Sequence, residues 1–155
     1  MQESLSTFGS IKGEYETEYM TDITCDVEYT DYGFIKDGKI NGFFFSERYI
    51  YLPYQDKPEK FYFAGIQDGK YEDWFLFKLK NECTKIVLQG NPHPDILIER
   101  EGENITFFGM QKDGKPEGLG FTVTHNEDKT KTLNLGYYSQ GILTHSFKDG
   151  TLIPL

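Results

Sequence analysis

Three histidines and two cysteines are the residues of this sequence best suited to act as nucleophiles, general bases or metal ligands. His93, His125, His145, Cys25 and Cys83 are far apart along the chain. None of them stands in the HExxH, CxxC or Cys/His spacings that build zinc sites. The sequence also contains no GxSxG nucleophile elbow and no phosphate-binding loop of the Walker type. We therefore predict a protein that is not an enzyme, has no metal site and needs no cofactor.

Carboxylates are the other reactive groups, and they occur in two clusters. The clusters consist of Asp22, Asp26, Glu28 and Asp31, and of Glu99, Glu101 and Glu103. Such groups could hold calcium or clamp a basic partner, but the DxDxDG order of a calcium-binding loop is missing. We favour the interpretation of a solvated edge strand that its charges protect from aggregation.

Aromatic side chains make up 16% of the chain, and some of them are consecutive. The run Phe43–Phe44–Phe45 cannot point all of its rings to one face of a strand. A second layer must therefore cover some rings, or some rings are exposed for binding. Exposed aromatic residues are common anchors of protein interfaces. The candidate partner-binding residues are Tyr32, Phe43, Phe63, Trp74, Phe108, Phe121 and Tyr137.

The elements that would position these residues are short strands. Side chains in segments such as WFLFKLK repeat with a period of two, and helical periodicity is hard to find. Strands are predicted over 42–51, 60–66, 74–80, 85–89, 95–99, 104–110, 119–124 and 132–138. Turn residues bound most of these segments, which favours an all-β antiparallel meander.

Glycines mark the predicted turns and reveal a repeat. Asp-Gly occurs at 37–38, 68–69, 113–114 and 149–150, and it favours tight hairpin turns because these need positive φ angles. Aligned on its glycines, YGFIKDGKINGFFFS at 32–46 matches FFGMQKDGKPEGLGFTV at 107–123, with partial copies at 8–19, 64–77 and 135–147. Recurring units of this length indicate a repeat architecture. The glycines with predicted structural roles are Gly33, Gly38, Gly42, Gly65, Gly69, Gly109, Gly114, Gly118, Gly120, Gly136 and Gly141.

This pattern resembles the MORN repeat, in which an aromatic residue and glycine precede a DGK turn and a G-x-G-[FV] segment. The unit at 107–123 is the best match. Two features depart from the family pattern: some intervals between units exceed the family's period, and Asp73 and His145 replace the third glycine in their units. The resemblance implies a curved single sheet of hairpins that acts as a scaffold for a segment of another protein. A closed up-and-down β-barrel is the alternative that the same strands allow.

Size and charge narrow the classes of partner. The chain, 1–155, has the length of a single domain, and we predict one MORN-like β-repeat domain. Its net charge of −9 repels phosphate backbones and anionic headgroups, so we expect neither nucleic acid nor a membrane surface as partner. The absence of a long apolar segment and of a disulfide framework predicts a cytoplasmic protein.

Three functions are consistent with these features. The leading hypothesis is a protein-binding scaffold or adaptor that docks a helical, extended or basic segment of a partner on its aromatic face. The second is a β-barrel that binds a small apolar ligand. The third is an acidic inhibitor or immunity protein of a basic toxin or nucleic-acid enzyme. The sequence leaves the oligomeric state open, because exposed end strands could also pair with each other.

Overall fold

The structure, a computed structural model, describes residues 7–67, 74–75 and 94–155. Eleven β-strands lie in these ranges, and no helix that could cross a membrane occurs there. The strands are β1 (Phe8–Met20), β2 (Ile23–Lys36), β3 (Lys39–Tyr51), β4 (Glu59–Gln67), β5 (Trp74–Phe75), β6 (Ile96–Glu101), β7 (Asn104–Lys112), β8 (Lys115–His125), β9 (Lys131–Ser139), β10 (Ile142–Lys148) and β11 (Thr151–Pro154).

The strands form two antiparallel sheets. The first sheet has the order β1-β2-β3-β4-β5, and the second has the order β11-β10-β9-β8-β7-β6. Each sheet is thus a meander in which every strand pairs with its neighbours in sequence, which confirms the predicted all-β fold of antiparallel hairpins. Within the described ranges the meander is divided between two packed sheets instead of the curved single sheet that the MORN resemblance implies, and neither sheet closes on itself. The alternative of a closed barrel is therefore wrong.

Most strands predicted from alternation coincide with observed ones, but four observed strands are not among them, although the repeat units at 8–19, 32–46 and 135–147 overlap three of the four. The missed strands are β1, β2, β10 and β11. In β1 and β2, acidic residues occupy one face, so these segments lack the apolar runs by which strands were recognised. Pairing with a neighbour nevertheless holds them in the sheet, and β2 alternates buried and exposed side chains between Ile23 and Val27. The predicted strand at 85–89 and the segment 76–80 lie outside the described residues.

The predicted hairpin turns have the expected backbone. In the turn at 37–38, φ is 53° for Asp37 and 77° for Gly38, and the turn at 113–114 has nearly the same angles. The dipeptides at 149–150 and 140–141 also have two positive φ angles. This conformation matches the twist of the flanking strands and explains the preference for glycine at the second position. The Asp-Gly pair at 68–69, with the predicted structural Gly69, lies outside the described residues.

The two best-matching sequence units are also equivalent in structure. The β2–β3 register shifts immediately after Gly33, and the β7–β8 register shifts at the matching position after Gly109. On the opposite strands, Gly42 and Gly118 have φ angles of 95° and 103°, a conformation available mainly to glycine. The third glycine of the sequence repeat therefore forms a β-bulge in both units.

Other repeat glycines let aromatic rings pack closely against the backbone of both sheets. Gly120 lies directly opposite Gly109 on one side and Gly136 on the other. A Cβ atom added to Gly120 would lie 2.7 Å from Cζ of Phe107, so the Phe107 ring covers this glycine row. In the first sheet, the buried Gly65 lies opposite Phe44. These glycines provide space for aromatic rings on the outer faces of the sheets.

A largely aromatic core joins the two sheets. Phe43 of the first sheet lies with its ring centroid 5.9 Å from Phe108 and 6.4 Å from Phe121 of the second. Phe45 lies 5.9 Å from Phe121, and Phe34 contacts Tyr137. Burial of these rings stabilises the pairing of the sheets, because each large aromatic side chain removes a large apolar area from water.

Candidate functional site

The predicted aromatic binding residues belong mainly to this core. Phe43, Phe108 and Phe121 are at most 3% exposed, and Tyr32 and Tyr137 pack against the same cluster. Burial leaves Phe43, Phe108 and Phe121 almost no surface for a partner, whereas Tyr32 and Tyr137 are half-buried, and a binding role of these two tyrosines stays a prediction. The second sheet covers the aromatic face that the sequence left open.

The remaining two aromatic candidates lie elsewhere. Phe63 is buried on the outer face of the first sheet, in a second cluster with Ile40 and Phe44. Trp74 lies in β5, and its side chain is outside the described part of the structure. Phe63 therefore also has a packing role among the described residues.

A different surface extends from the core along the inner face of the first sheet. We define the acidic face as the side chains of Glu14, Glu16, Asp26 and Glu28. Strand pairing places Glu14 directly opposite Glu28 and Glu16 directly opposite Asp26. All four residues are exposed. Like charges in directly opposed positions destabilise a sheet, so this arrangement costs the free protein stability.

Two tyrosines of β3 continue the acidic face on its other side. Tyr49 lies opposite Glu28, and Tyr51 lies opposite Asp26. The Tyr51 hydroxyl donates a hydrogen bond of 3.1 Å to Oε2 of Glu28, and this bond raises the pKa of Tyr51. Carboxylates therefore lie beside aromatic rings, a combination that suits cationic side chains with long aliphatic stems.

A shallow cavity of about 450 Å³ lies at one end of this surface, beside Glu14 and Glu28. Its lining residues are Lys12, Gly13, Glu14, Glu28, Tyr29, Thr30 and Tyr49. Two carboxylates and Lys12 lie among these residues, next to the side chains of Tyr29 and Tyr49. The cavity can accommodate one or a few polar side chains of a partner.

Lys60 marks the border between the acidic face and the core. Its Nζ atom lies 3.7 Å from Oε2 of Glu47 and 5.0 Å from the ring centroid of Tyr62. Burial alone would lower the pKa of Lys60, but the hydrogen bond to Tyr62 and the charge of Glu47 outweigh it, so the pKa is raised. Lys60 therefore stays charged and is engaged by its own neighbours.

On the outer face of the first sheet, Arg48 of β3 contacts side chains of three other strands, β1, β2 and β4. Its Nη1 donates a 2.9 Å hydrogen bond to the hydroxyl of Tyr15, and its Nε donates a 3.1 Å bond to Oγ of Ser46. The guanidinium carbon lies 4.3 Å from the ring centroid of Phe63 and 5.5 Å from that of Tyr29. We call this arrangement the Arg48 cluster. Its hydrogen bonds and cation–π contacts hold the edge strand β1 in place from the outer face of the sheet.

Asp31 is the buried carboxylate of the Arg48 cluster. It is 8% exposed and lies opposite Ser46 in the register. Burial raises the pKa of Asp31, although a hydrogen bond with Ser46 and the charge of Arg48 act in the opposite direction. Its Oδ1 has no hydrogen-bond partner among the described residues. The pKa of this carboxyl group is therefore governed by its loss of water.

In the structure, the members of each acidic cluster suggested by the sequence do not all lie together. Asp26 and Glu28 lie on the acidic face, whereas Asp31 points to the opposite face and Asp22 lies in the β1–β2 turn with a φ of 67°. Glu103 lies in a turn rather than on a strand face with Glu101. The described ranges contain no group of three or more residues that could hold a metal ion.

The histidines and cysteine within the described ranges make structural contacts. Nε2 of His125 lies 2.8 Å from the carbonyl oxygen of Ile105, and the ring of His145 packs edge-on against Tyr137. Cys25 is buried with a free thiol. His93 and Cys83 lie outside the described residues.

Glu14, Glu16 and Arg48 were not singled out from the sequence. The signal for the glutamates was present, because charges at positions 12, 14, 16 and 18 alternate as on one face of a strand. Nothing local in the sequence marks Arg48, whose partners come from β1, β2 and β4.

Comparisons of the chain with protein-family models, curated proteins and solved structures found no match. The resemblance to MORN repeats therefore stays a prediction based on the residues quoted above.

Proposed function

We propose that this protein is a non-enzymatic protein-binding module that docks a cationic segment of a partner protein on the acidic face. The observation that carries the proposal is the direct opposition of Glu14 to Glu28 and of Glu16 to Asp26 beside Tyr49 and Tyr51. Lysine or arginine side chains of a partner would relieve the repulsion within these pairs. Binding would thus gain free energy that the unbound sheet lacks.

The charge of the whole molecule supports the same class of partner. A net charge of −9 attracts a basic segment from a distance and accelerates its encounter with the acidic face. The tyrosines supply contact area with little conformational entropy to lose. This proposal retains the partner class of the adaptor and the acidic-inhibitor hypotheses, and it moves the binding surface from the buried aromatic residues to the acidic face. A cytoplasmic location remains a prediction.

The proposal can be tested with a labelled octalysine peptide and fluorescence anisotropy at several salt concentrations. The double variant E14Q/E16Q removes two charges from the acidic face. The control variant E101Q/E103Q removes two exposed charges from the end of β6 and the following turn, so both variants have the same net charge. We expect E14Q/E16Q to weaken binding about tenfold or more, and the control to change it less than threefold, since local charge pairs dominate over distant ones.

A second readout separates a binding surface from a merely solvated edge. Because E14Q/E16Q relieves like-charge repulsion, its free energy of unfolding should rise by about 0.2–1 kcal/mol while its affinity falls. Equal loss of affinity in both variants would show that binding depends only on net charge, and the proposal would be withdrawn. Unchanged affinity in both variants would have the same consequence.

A further inference from the structure

The edge of the first sheet offers a backbone template next to the acidic face. In the described part of the chain, β1 forms a strand ladder only with β2 and otherwise contacts β11 at a few positions, so its other side is an edge without a paired strand. The β1–β2 pairing is regular from Phe8 to Glu18, and the register shifts only beyond Glu18. The segment contains no proline. An edge strand of this kind presents unpaired N–H and C=O groups to which another extended chain can bond.

The other sheet edges are less suitable for strand addition. In the ranges that the structure describes, the other edge strands are β5 with two residues, β6 with six, and β11 with four, which ends in Pro154. Proline lacks the N–H group that a ladder needs. The regular part of β1 is the longest template among the open edges.

The side chains of β1 form two different rows. The row on the inner face contains Lys12, Glu14, Glu16 and Glu18, which are all exposed. The row on the outer face contains Ile11, which packs against the second cluster, and Tyr15, which contacts Arg48. A strand added to this edge would therefore lie beside carboxylates with one set of its side chains and beside apolar groups with the other.

We infer that the partner segment binds as an additional β-strand along β1, and that its side chains alternate between cationic and apolar. This inference rests on the proposed function and specifies the conformation and sequence pattern of the partner. Side chains of a helix repeat every 3.6 residues and cannot follow both rows of a strand. Of the helical and extended partner segments considered from the sequence, this edge therefore fits the extended one.

Charge also decides against a second copy of this chain as the occupant. Antiparallel pairing of two β1 strands would place two acidic rows next to each other. Acidic side chains on an edge strand hinder such self-association. The same residues favour a cationic strand, so one feature both excludes the protein's own copies and selects its partner.

The Arg48 cluster holds the edge strand β1 in an extended conformation in the unbound protein. The hydrogen bond from Arg48 to Tyr15 holds the outer row of β1 against the sheet, and the Tyr29 ring lies over Gly13 in the same strand. The edge is thus already extended before the partner arrives. A partner then loses less affinity to the cost of ordering the binding surface.

The experiment compares two peptides of identical composition on the full chain. The first alternates Lys-Val-Lys-Val-Lys-Val-Lys-Val, and the second has the block order Lys-Lys-Val-Val-Lys-Lys-Val-Val. Both are used at concentrations at which they are monomeric. We expect the alternating peptide to bind at least tenfold more tightly than the block peptide. Methylation of one set of alternate amide nitrogens should reduce its affinity at least tenfold, and methylation of the other set should have little effect, because only one edge of the added strand pairs with β1.

Amide hydrogen exchange of the protein locates the added strand. Amides of β1 should gain protection with the alternating peptide, and those of β11 should not. Equal binding of both peptides, indifference to methylation of either set, or protection at β11 instead of β1 would overturn the inference. In that case, sensitivity of octalysine binding to E14Q/E16Q would still support the proposed function, and loss of that sensitivity would remove both.

Discussion

Arg48 of β3 donates a hydrogen bond of 2.9 Å from Nη1 to the hydroxyl of Tyr15 on β1, and so connects the third strand to the edge strand across β2. Arg48 also lies within 5.6 Å of the Tyr15 ring centroid and within 5.5 Å of that of Tyr29. The bond crosses an intervening strand, so it holds the edge by means other than the β1–β2 ladder. Its loss should therefore affect the edge more than the core.

The variant Tyr15→Phe removes this hydrogen bond and keeps the ring. We expect the free energy of unfolding to fall by about 0.5–1 kcal/mol, because hydrogen bonds in partly exposed positions contribute modestly. Amide exchange in β1 should accelerate more than in β8. The control Tyr54→Phe removes a hydroxyl from a ring that is 87% exposed in the β3–β4 loop. Equal effects of the two variants would contradict a specific role of the Arg48–Tyr15 bond.

The inter-sheet core can be tested at Phe121, which is 0% exposed and contacts both Phe43 and Phe45. Phe121→Ala should destabilise the protein by about 3–5 kcal/mol in urea denaturation, since it leaves a cavity between the sheets. Ile142→Ala, at a side chain that is 67% exposed, should change stability by less than about 0.5 kcal/mol. A stable Phe121→Ala variant with impaired partner binding would instead restore the groove predicted from the sequence.

Two first glycines of repeat units should respond differently to the same substitution. A Cβ atom at Gly109 would meet the Cα atom of Gly120 and would lie 2.8 Å from the carbonyl oxygen of Leu119. Strands β7 and β8 would have to separate, so Gly109→Ala should cost about 2 kcal/mol or more. At Gly9, the nearest atom is Cδ1 of Ile35 at 3.1 Å, which can rotate away. Gly9→Ala should therefore cost less than about 1 kcal/mol, as measured by thermal unfolding. Similar costs at both positions would contradict the close approach at Gly109.

Asp31 should make stability depend on pH. Burial raises its pKa in the folded state above the usual value of 3.8, so the folded protein holds this proton more tightly than the unfolded chain does. The contribution of Asp31 therefore favours folding below pH 3.8 and is lost as the pH rises through the folded-state pKa. As the pH rises from 3.8 through the folded-state pKa of Asp31, the Asp31→Asn variant should become more stable than the parent protein. Above that pKa, the difference in the free energy of unfolding should stay constant.

Urea denaturation at a series of pH values from 3 to 8 measures this difference, with Asp56→Asn in the exposed β3–β4 loop as the matched control. The same pH response in both variants would show that burial of Asp31 is not its cause. A parent protein that exceeds Asp31→Asn in stability at neutral pH would show that Arg48 and Ser46 outweigh the desolvation of the carboxylate.

The sequence by itself determined the local structure of this protein. Asp-Gly at 37–38 and 113–114 marked tight hairpin turns, because the φ angles of a two-residue turn are decided by the residues within it. The matching glycines at 42 and 118 likewise indicated a repeated unit, and both form the same bulge. Period-two segments located β3, β4, β7, β8 and β9 closely. These features depend on residues that are close together in the sequence, so the sequence alone predicts them.

Only the tertiary structure decided which faces are buried and which remain open. Consecutive rings such as Phe43 and Phe44 show that both faces of a strand are apolar, but not what covers each face. Here the second sheet covers Phe43 and leaves Glu14 and Glu28 exposed farther along the same face. Asp31, close to Glu28 in sequence, is buried on the opposite side. Burial is set by long-range packing between sheets, and no local pattern of residues specifies that packing.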